Sequence, residues 1–156
     1  MNAQELFFRT IQTGQLENLK LQLQNNPHLV NSEDARGFTP LIFATYFDKE
    51  DIAKLLIEHK ADINGKDASG NTALIGVSFK GNLSLVNLLI EHGANINAQN
   101  NNGTTALSFA TQYNQEAVVK KLLESKADAS IPDGQGKTAL DFAKEKGFLN
   151  IENLLS

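Results

Sequence analysis

Apolar residues recur along the chain at the spacing of short amphipathic helices. In one segment the apolar residues are Ile52, Ala53, Leu56 and Ile57. This i, i+1, i+4, i+5 spacing places the four side chains on one face of a helix. The same spacing returns in two later segments, at Leu85, Val86, Leu89 and Ile90 and at Val118, Val119, Leu122 and Leu123. Because a second apolar helix pattern precedes each segment, the chain is predicted to be all-α and built from pairs of short helices.

A loop pattern of Asp or Asn, Gly, Thr and Leu separates the predicted helix pairs. It occupies residues 34–41, 67–74, 100–107 and 133–140, so its period is 33 residues. In the first copy, Gly37 suits a turn with positive φ, Thr39 can cap the following helix, and Pro40 suits the first turn of that helix. A fixed period in this range is typical of stacked-repeat architectures.

The repeated unit resembles the ankyrin repeat, with the form Asp-x-x-Gly-x-Thr-Pro/Ala-Leu-x-x-Ala, a turn, and then Leu-Leu/Ile-x-x-Gly-Ala-Asp/Asn. Residues 67–99 carry this pattern most completely. The resemblance covers essentially the whole chain and implies an all-α ankyrin-repeat solenoid of stacked helix–turn–helix units with projecting hairpin loops. We expect a single domain, similar to small free-standing bacterial ankyrin proteins. Its expected units are an N-terminal capping repeat at 1–33, full repeats at 34–66, 67–99 and 100–132, and a truncated C-terminal capping repeat at 133–156.

The unit at 67–99 departs from its neighbours inside its first helix. The other units carry a Phe-Ala pair there, at Phe43-Ala44, Phe109-Ala110 and Phe142-Ala143. Gly76-Val77 replaces this pair, and a glycine inside a helix costs roughly 0.5–1 kcal/mol relative to alanine. This unit is therefore predicted to be the softest part of the stack. Lys60 and Lys126 replace the glycine expected after the second helix, where a non-glycine residue at positive φ costs about 1 kcal/mol.

Composition and charge narrow the possible functions. The chain is 41% hydrophobic and 21% charged, which is ordinary for a globular protein. Its net charge of -4 disfavours nucleic acid and anionic membranes as partners. The absence of cysteine excludes disulfides, thiolate catalysis and cysteine-ligated zinc. Because neither a secretory signal nor a membrane-length apolar run is visible, we expect a cytoplasmic protein with no membrane partner.

The sequence contains no convincing catalytic, cofactor or metal site. The three histidines, His28, His59 and His92, lack the spacing of metal ligands. His59 and His92 share one repeat position near a helix end, where an exposed imidazole complements the helix dipole. Residues 136–138 read Gly-Lys-Thr like the end of a phosphate loop, but Ile131 stands where that motif requires glycine. We therefore expect a protein that is not an enzyme and has no cofactor and no bound metal.

The resemblance also implies where a partner would bind. In ankyrin proteins the contact residues lie at variable hairpin-tip positions and on the exposed side of the first helix of each repeat. Carried over by register, the candidate partner-binding residues are Arg36, Phe38, Tyr46, Phe47, Lys66, Asn71, Phe79, Lys80, Thr104, Gln112, Tyr113 and Lys137. The aromatic members are candidate interface anchors. The alternative for Phe47 and Phe79 is that they fold back as ordinary core.

Charge at these variable positions suggests a further expectation. The basic side chains there are Arg36, Lys66, Lys80, Lys137 and Lys146. Only Glu145 opposes them, so a weakly basic groove is expected to match a partner with an apolar patch and an acidic rim. The alternative is an ordinary solvated charged face.

These patterns favour a non-enzymatic protein–protein interaction module that binds a protein partner through its concave hairpin and helix-one surface. Stacked repeats form such extended concave surfaces. We expect the protein to be a monomer by itself. Two alternatives stay open, namely an inhibitor or immunity-type protein for a specific partner enzyme and a purely structural scaffold.

Overall fold

The chain folds into short helices throughout its length. In a computed structural model that describes residues 1–156, it forms ten α-helices, one short 3₁₀ helix and no strand. The α-helices are α1 Ala3–Gln12, α2 Leu16–Asn25, α3 Pro40–Tyr46, α4 Glu50–Glu58, α5 Ala73–Lys80, α6 Leu83–Glu91, α7 Ala106–Gln112, α8 Glu116–Glu124, α9 Ala139–Lys146 and α10 Leu149–Leu155. The 3₁₀ helix is Pro27–Asn31. The predicted all-α fold class is confirmed.

Consecutive helices pack as pairs, and the pairs stack. Each odd-numbered helix contacts the even-numbered helix that follows it, and the odd-numbered helices α1 to α9 pack side by side in one layer. The even-numbered helices form a second layer. A single cluster of 33 buried apolar residues extends from Phe7 to Ile151, so the core runs through the whole stack. Neighbouring pairs bury each other's apolar faces, which is how repeat arrays are stabilised.

A threonine begins each of the helices α3, α5, α7 and α9. In α3, the Thr39 hydroxyl accepts the Ile42 N–H at 3.1 Å, and the other three threonines make the same bond at 3.2–3.4 Å. These caps satisfy a backbone donor that the first turn leaves free. In α9, hydrogen bonds from the N–H and hydroxyl of Thr138 to the carboxylate lower the pKa of Asp141.

A hairpin loop precedes each of these helices, and its residues form a closed turn. In the loop before α5, the Asp67 N–H donates to the Asn71 carbonyl and the Gly70 N–H donates to the Asp67 carbonyl, both at 2.9 Å. Asp67 Oδ1 also accepts the N–H groups of Ser69 and Asn71. Gly70 has φ +77°, a conformation that glycine adopts without strain. The three other hairpin glycines have φ between +77° and +81°.

Two lysines adopt the strained backbone that the sequence predicts. Lys60 has φ +70° and Lys126 has φ +73°, each directly after the second helix of its pair. Gly93 holds the equivalent position after α6 with φ +89°. The inter-helix turns use positive φ as well, at Asp48 and Asn114, residue types that tolerate this region better than most.

Gly76 is expected to be replaceable by alanine with a gain in stability. Its backbone is helical, and a Cβ there would meet no atom within 4 Å. Gly76→Ala should therefore raise the free energy of unfolding in urea by about 0.5–1 kcal/mol, because alanine loses less backbone entropy on entering a helix. Gly93→Ala is the matched control: it also meets no atom within 4 Å, but its positive φ should make it destabilising. A destabilised Gly76→Ala protein would contradict the prediction that this glycine softens the third helix pair.

Candidate functional site

A pocket of about 370 Å³ opens on the side of the stack formed by α3, α5 and α7. Its lining residues come from these three helices and from the hairpin loops before α3 and α5. They are Phe38, Ile42, Thr45, Tyr46, Asp67, Ser69, Asn71, Thr72, Ala73, Ile75, Gly76, Phe79, Phe109 and Tyr113. The lining is mostly apolar, contains one carboxylate and contains no lysine or arginine.

The pocket exists because Gly76 has no side chain. Positions 43, 109 and 142, which lie 33 or 66 residues from Gly76 along the repeat, all hold phenylalanine. Phe43 is only 4% exposed, and its ring lies edge-on to the Phe8 ring at 5.3 Å. At Gly76 the equivalent direction is open space. The pocket therefore occupies the volume that a phenylalanine ring fills elsewhere in the stack.

Exposed aromatic side chains surround this pocket. Tyr46 is 54% exposed, Phe79 is 40% exposed and Tyr113 is 52% exposed. The Phe79 and Tyr113 rings meet edge-to-face with centroids 4.4 Å apart, and Phe38 stacks near Tyr46 at 6.4 Å. We call Phe38, Tyr46, Phe79 and Tyr113 the aromatic face. All four are sequence-predicted candidates, and Asn71 joins them in the lining of the pocket.

Three other candidates do not line the pocket. Thr104 is only 7% exposed, so the prediction that it is an open hairpin-tip contact is wrong. Its N–H donates to Asn100 Oδ1 at 3.0 Å, where the chain has already turned back toward α7. Phe47 is partly buried against the core with its ring 4.8 Å from that of Phe43, as the core alternative for this residue anticipated. Gln112 is half-buried, and its amide donates to Ser108 Oγ at 3.3 Å.

The basic candidates are largely engaged within the protein. Three form ion pairs at 3.0 Å, namely Arg36 with Asp34, Lys80 with Asp48 and Lys137 with Glu145. Lys66 Nζ donates to the Gln99 carbonyl at 3.2 Å, and Lys146 Nζ donates to the Gln112 carbonyl at 3.1 Å. The pocket itself is not basic, because Asp67 carries the only formal charge in its lining. The basic groove expected across the wider surface stays a prediction. The count of charged residues at the variable positions omitted Asp34 and Asp48, because these two acids lie outside those positions.

Asp48 connects the second helix pair to the third. Its Oδ2 lies 3.0 Å from Lys80 Nζ, and its Oδ1 accepts the Asn82 side-chain N–H at 2.9 Å. Burial raises the pKa of Asp48, but the hydrogen bonds from Asn82 and Lys80 and the charge of Lys80 outweigh it and leave the pKa below its usual value. A lowered pKa in the folded state means that the carboxylate stabilises the fold at neutral pH and loses that effect as the pH falls.

Asp48→Asn is expected to destabilise the protein at pH 7 and to have little effect in acid. The ion pair is partly exposed to solvent, so the expected loss in the free energy of unfolding is only about 0.5 kcal/mol. Asparagine tolerates the positive φ at this position, which limits any backbone effect. The difference from wild type should begin to shrink as the pH falls below about 4, the ordinary pKa of an aspartate, and should disappear once the pH is below the lowered pKa of folded Asp48. Urea unfolding at pH 7 and at an acid pH measures the difference in the free energy of unfolding. Glu33→Gln is the control, because Glu33 is an exposed acid outside any ion pair. A difference that is independent of pH would contradict this account.

Sequence reasoning missed two residues that define the pocket. The sequence marks Gly76 as a weak point of its helix, but the loss of phenylalanine from a repeated position also signals an unfilled volume. Asp67 begins the repeated loop pattern, and its Oδ1 holds the turn together by accepting two backbone N–H groups. Its position in the pocket lining depends on the packing of α3 against α5, which a single repeat does not display.

The structure shows neither a metal-binding cluster nor a helix that could span a membrane. No cluster of three or more His, Asp or Glu side chains is arranged to hold a metal ion. The longest α-helices have 10 residues, and none combines the length and apolarity that crossing a membrane requires.

Known proteins share the repeat pattern of this chain. The family described as "Ankyrin repeats (3 copies)" matches residues 7–100 and 75–156. The human DNA-binding protein RFXANK is 45% identical to this chain over 49 residues, a segment that covers 31% of this chain and 19% of RFXANK. The chain thus matches only about a fifth of the length of this curated relative. Because the two family matches together span residues 7–156, the chain belongs to the ankyrin-repeat family.

Proposed function

We propose that this protein is a non-enzymatic binding module that holds a protein partner on its concave hairpin and helix-one surface, with the aromatic face at the centre of the contact. Ankyrin repeats generally mediate protein–protein interactions and are typically non-enzymatic. The observation that carries the proposal is the exposure of Tyr46, Phe79 and Tyr113 around one pocket. Exposed aromatic side chains grouped at a pocket are typical anchors of protein interfaces.

The aromatic face is held in place before any partner arrives. The Phe79 ring contacts Tyr113 at 4.4 Å and Phe109 at 6.1 Å, and the Tyr46 ring contacts Phe47 at 5.1 Å. These contacts restrict the rotamers of the exposed rings. Binding therefore costs little side-chain entropy, which favours affinity on a rigid surface.

A protein partner is better supported than nucleic acid. The net charge is -4, and the pocket contains no lysine or arginine. Phosphate backbones are bound by clustered free cations, whereas three of the basic side chains near this surface are paired with carboxylates. The words "DNA-binding" in the name of RFXANK describe that protein, of which only 19% matches this chain.

The combined variant Tyr46→Ala, Phe79→Ala, Tyr113→Ala is expected to lose its partner. A photo-crosslinking amino acid at position 46 first identifies the protein that contacts this face in host lysate. The dissociation constant of the purified partner should then rise at least 100-fold in the triple variant, since aromatic hot spots contribute about 2 kcal/mol or more each. The matched control is Leu6→Ala, Leu21→Ala, Leu149→Ala, which removes apolar side chains that are 48–68% exposed elsewhere. A triple variant that stays folded and binds as tightly as wild type would refute the proposal.

The inhibitor or immunity role stays a prediction. It follows if the identified partner is an enzyme whose activity falls on saturation with the wild-type protein and stays unchanged when the triple variant is added instead. Unchanged activity in the saturated complex would favour the scaffold alternative.

A further inference from the structure

We infer that the pocket at Gly76 receives an arginine side chain from an extended segment of the partner, with the guanidinium bound to Asp67. This inference rests on the proposed function and names the chemistry of the partner at the same site. It depends on three features of the molecule: a carboxylate oxygen without a partner, an equivalent arrangement in the preceding repeat, and an open volume beside aromatic rings.

Asp67 lines the pocket and keeps one carboxylate oxygen free. Oδ1 accepts the N–H groups of Ser69 and Asn71, each at 2.9 Å, whereas Oδ2 accepts no hydrogen bond from the chain. No lysine or arginine lines the pocket, so nothing in the protein neutralises this carboxylate. A partner that covers the pocket must supply a donor to Oδ2, because a desolvated carboxylate without one is costly. A cationic donor is the complementary group.

The preceding repeat contains the proposed arrangement within the chain itself. Asp34, which precedes Asp67 by 33 residues, also uses Oδ1 for two backbone N–H groups. Its Oδ2 accepts the Arg36 guanidinium, with Nη2 at 3.0 Å and Nε at 3.3 Å. The same guanidinium lies 4.6 Å from the centre of the Phe38 ring and 5.7 Å from that of Phe43. An arginine is thus held between the loop aspartate and two rings.

The repeat that contains Asp67 lacks both parts of this arrangement. Ser69 stands where Arg36 does, Asn71 stands where Phe38 does, and Gly76 stands where Phe43 does. The cation and its two rings are missing, and the pocket of about 370 Å³ is left. The rings of Tyr46 and Phe79 border this volume. An arginine from the partner would restore the ion pair and would pack its aliphatic stem and planar head against these aromatic side chains.

Arginine fits this site better than the other large side chains. A phenylalanine or leucine could fill the volume, but it would cover Asp67 Oδ2 without giving it a donor. Lysine supplies the charge but lacks the planar guanidinium, which stacks on aromatic rings and can donate two N–H groups to one carboxylate oxygen, as Arg36 does to Asp34 Oδ2. Glutamate would place two carboxylates together and is therefore excluded by repulsion.

The inference can be tested with short peptides of one design. The probes are acetyl-Gly-Ser-X-Ser-Gly-amides in which X is arginine, citrulline, lysine, leucine or phenylalanine, titrated into the ¹⁵N-labelled protein and followed by backbone amide shifts. The arginine peptide should shift the amides of Ser69, Asn71 and Gly76. Citrulline, a neutral arginine of nearly the same shape, should bind at least tenfold more weakly. If the leucine or phenylalanine peptide binds as tightly as the arginine peptide, the inference is wrong.

Three variants make the test specific. Asp67→Asn should reduce the preference for arginine over citrulline to less than threefold, a change that a purely structural role of Asp67 would not produce. Asparagine keeps the turn, since Asn100 Oδ1 accepts the N–H groups of Asn102 and Thr104 at 2.9 and 3.0 Å in the equivalent loop. Gly76→Phe should abolish binding of the arginine peptide by filling the volume, whereas Gly76→Ala should leave the binding intact. An unchanged arginine preference in Asp67→Asn would overturn the inference.

The outcome for this inference is separable from that for the proposed function. If the identified partner binds the wild type and not the aromatic triple variant, but Asp67→Asn and Gly76→Phe both bind it normally, the aromatic face is the binding surface and the arginine inference is wrong. If one arginine of the partner, changed to citrulline or glutamine, weakens binding to the wild type tenfold and to Asp67→Asn hardly at all, the inference is supported in the native complex.

Discussion

Replacing Gly103 with alanine should destabilise the protein by about 2–4 kcal/mol, one of the largest effects available from a single methyl group. Gly103 has φ +77°, where an L-residue is strained by about 1–2 kcal/mol. A Cβ at this position would also lie 2.8 Å from the backbone nitrogen of Gly134 and 3.1 Å from the carbonyl carbon of Asp133. Because these are backbone atoms of the next hairpin, they cannot move aside as a flexible side chain would.

The close approach at Gly103 is what joins the two hairpins. The Gly134 N–H donates to the Asn102 carbonyl at 2.8 Å, and the alanine methyl group would push these two backbone segments apart. The loss of this hydrogen bond adds to the steric cost. The equivalent contact one repeat earlier is the bond from the Asn101 N–H to the Ser69 carbonyl at 3.0 Å, beside Gly70.

Gly136→Ala is the matched control for this prediction. Gly136 occupies the same position of the last repeat with φ +81°, but a Cβ there would meet no atom within 4 Å. Gly136→Ala should therefore lose only the stability that the strained φ costs, about 1–2 kcal/mol. Urea unfolding of the two variants measures the difference, and thermal melts should show a midpoint lower for Gly103→Ala by several degrees. Equal losses in the two variants would mean that the hairpin contact contributes nothing beyond the strained φ.

The features that sequence analysis predicted well are those that belong to a single repeat. The threonine caps, the hairpin glycines and the positive φ of Lys60 and Lys126 depend on residues a few positions apart. A period of 33 residues then copies each local prediction along the chain. The all-α stack follows, because amphipathic helix pairs of this length cannot bury their apolar faces alone.

Contacts between repeats were predicted less well, because they join residues that one repeat does not contain. The ion pair of Asp48 with Lys80 crosses 32 positions, and Asn64 Oδ1 accepts the Asn95 N–H at 2.7 Å across 31 positions. Asn31 and Asn97 make the same bond to residues 62 and 128. The period of these asparagines is visible in the sequence, but their partners are not.

The candidate site also combines features that a single repeat predicts with features that depend on neighbouring repeats. Carrying contact positions over by register found the aromatic face, since Phe38, Tyr46, Phe79 and Tyr113 occupy outward positions of their own repeats. It misplaced Thr104, because the position that is half-buried at Phe38, Asn71 and Lys137 is buried in this hairpin. The pocket itself arises from a side chain that is missing at Gly76, and its size follows from the spacing of the neighbouring helices.

Leu89→Ala should destabilise the protein by about 3 kcal/mol, within the range of roughly 2–5 kcal/mol for fully buried leucines. Leu89 is fully buried on α6, which packs between α5 and α8. The residues 33 positions to either side, Leu56 and Leu122, are also fully buried. Truncation at the middle of this row leaves a cavity that helices from two neighbouring pairs share. Rigid helices on both sides limit the collapse of this cavity. The variant should therefore lose both the transfer free energy of the removed atoms and the free energy that the remaining cavity costs.

Leu155→Ala tests whether burial by two neighbours is the cause. Leu155 occupies the same register position on α10 but is partly exposed. Its truncation should cost only about 1 kcal/mol.

Since each pair in a repeat array contacts only adjacent pairs, a defect at Leu89 weakens the coupling between the two halves of the chain, whereas a defect at Leu155 weakens one end. Urea unfolding should therefore show a lower midpoint and a smaller m-value for Leu89→Ala, and a lower midpoint with an unchanged m-value for Leu155→Ala. If the two variants lose equal amounts of stability, the end of the stack is packed as tightly as its centre. That result would disagree with the partial exposure of Leu155.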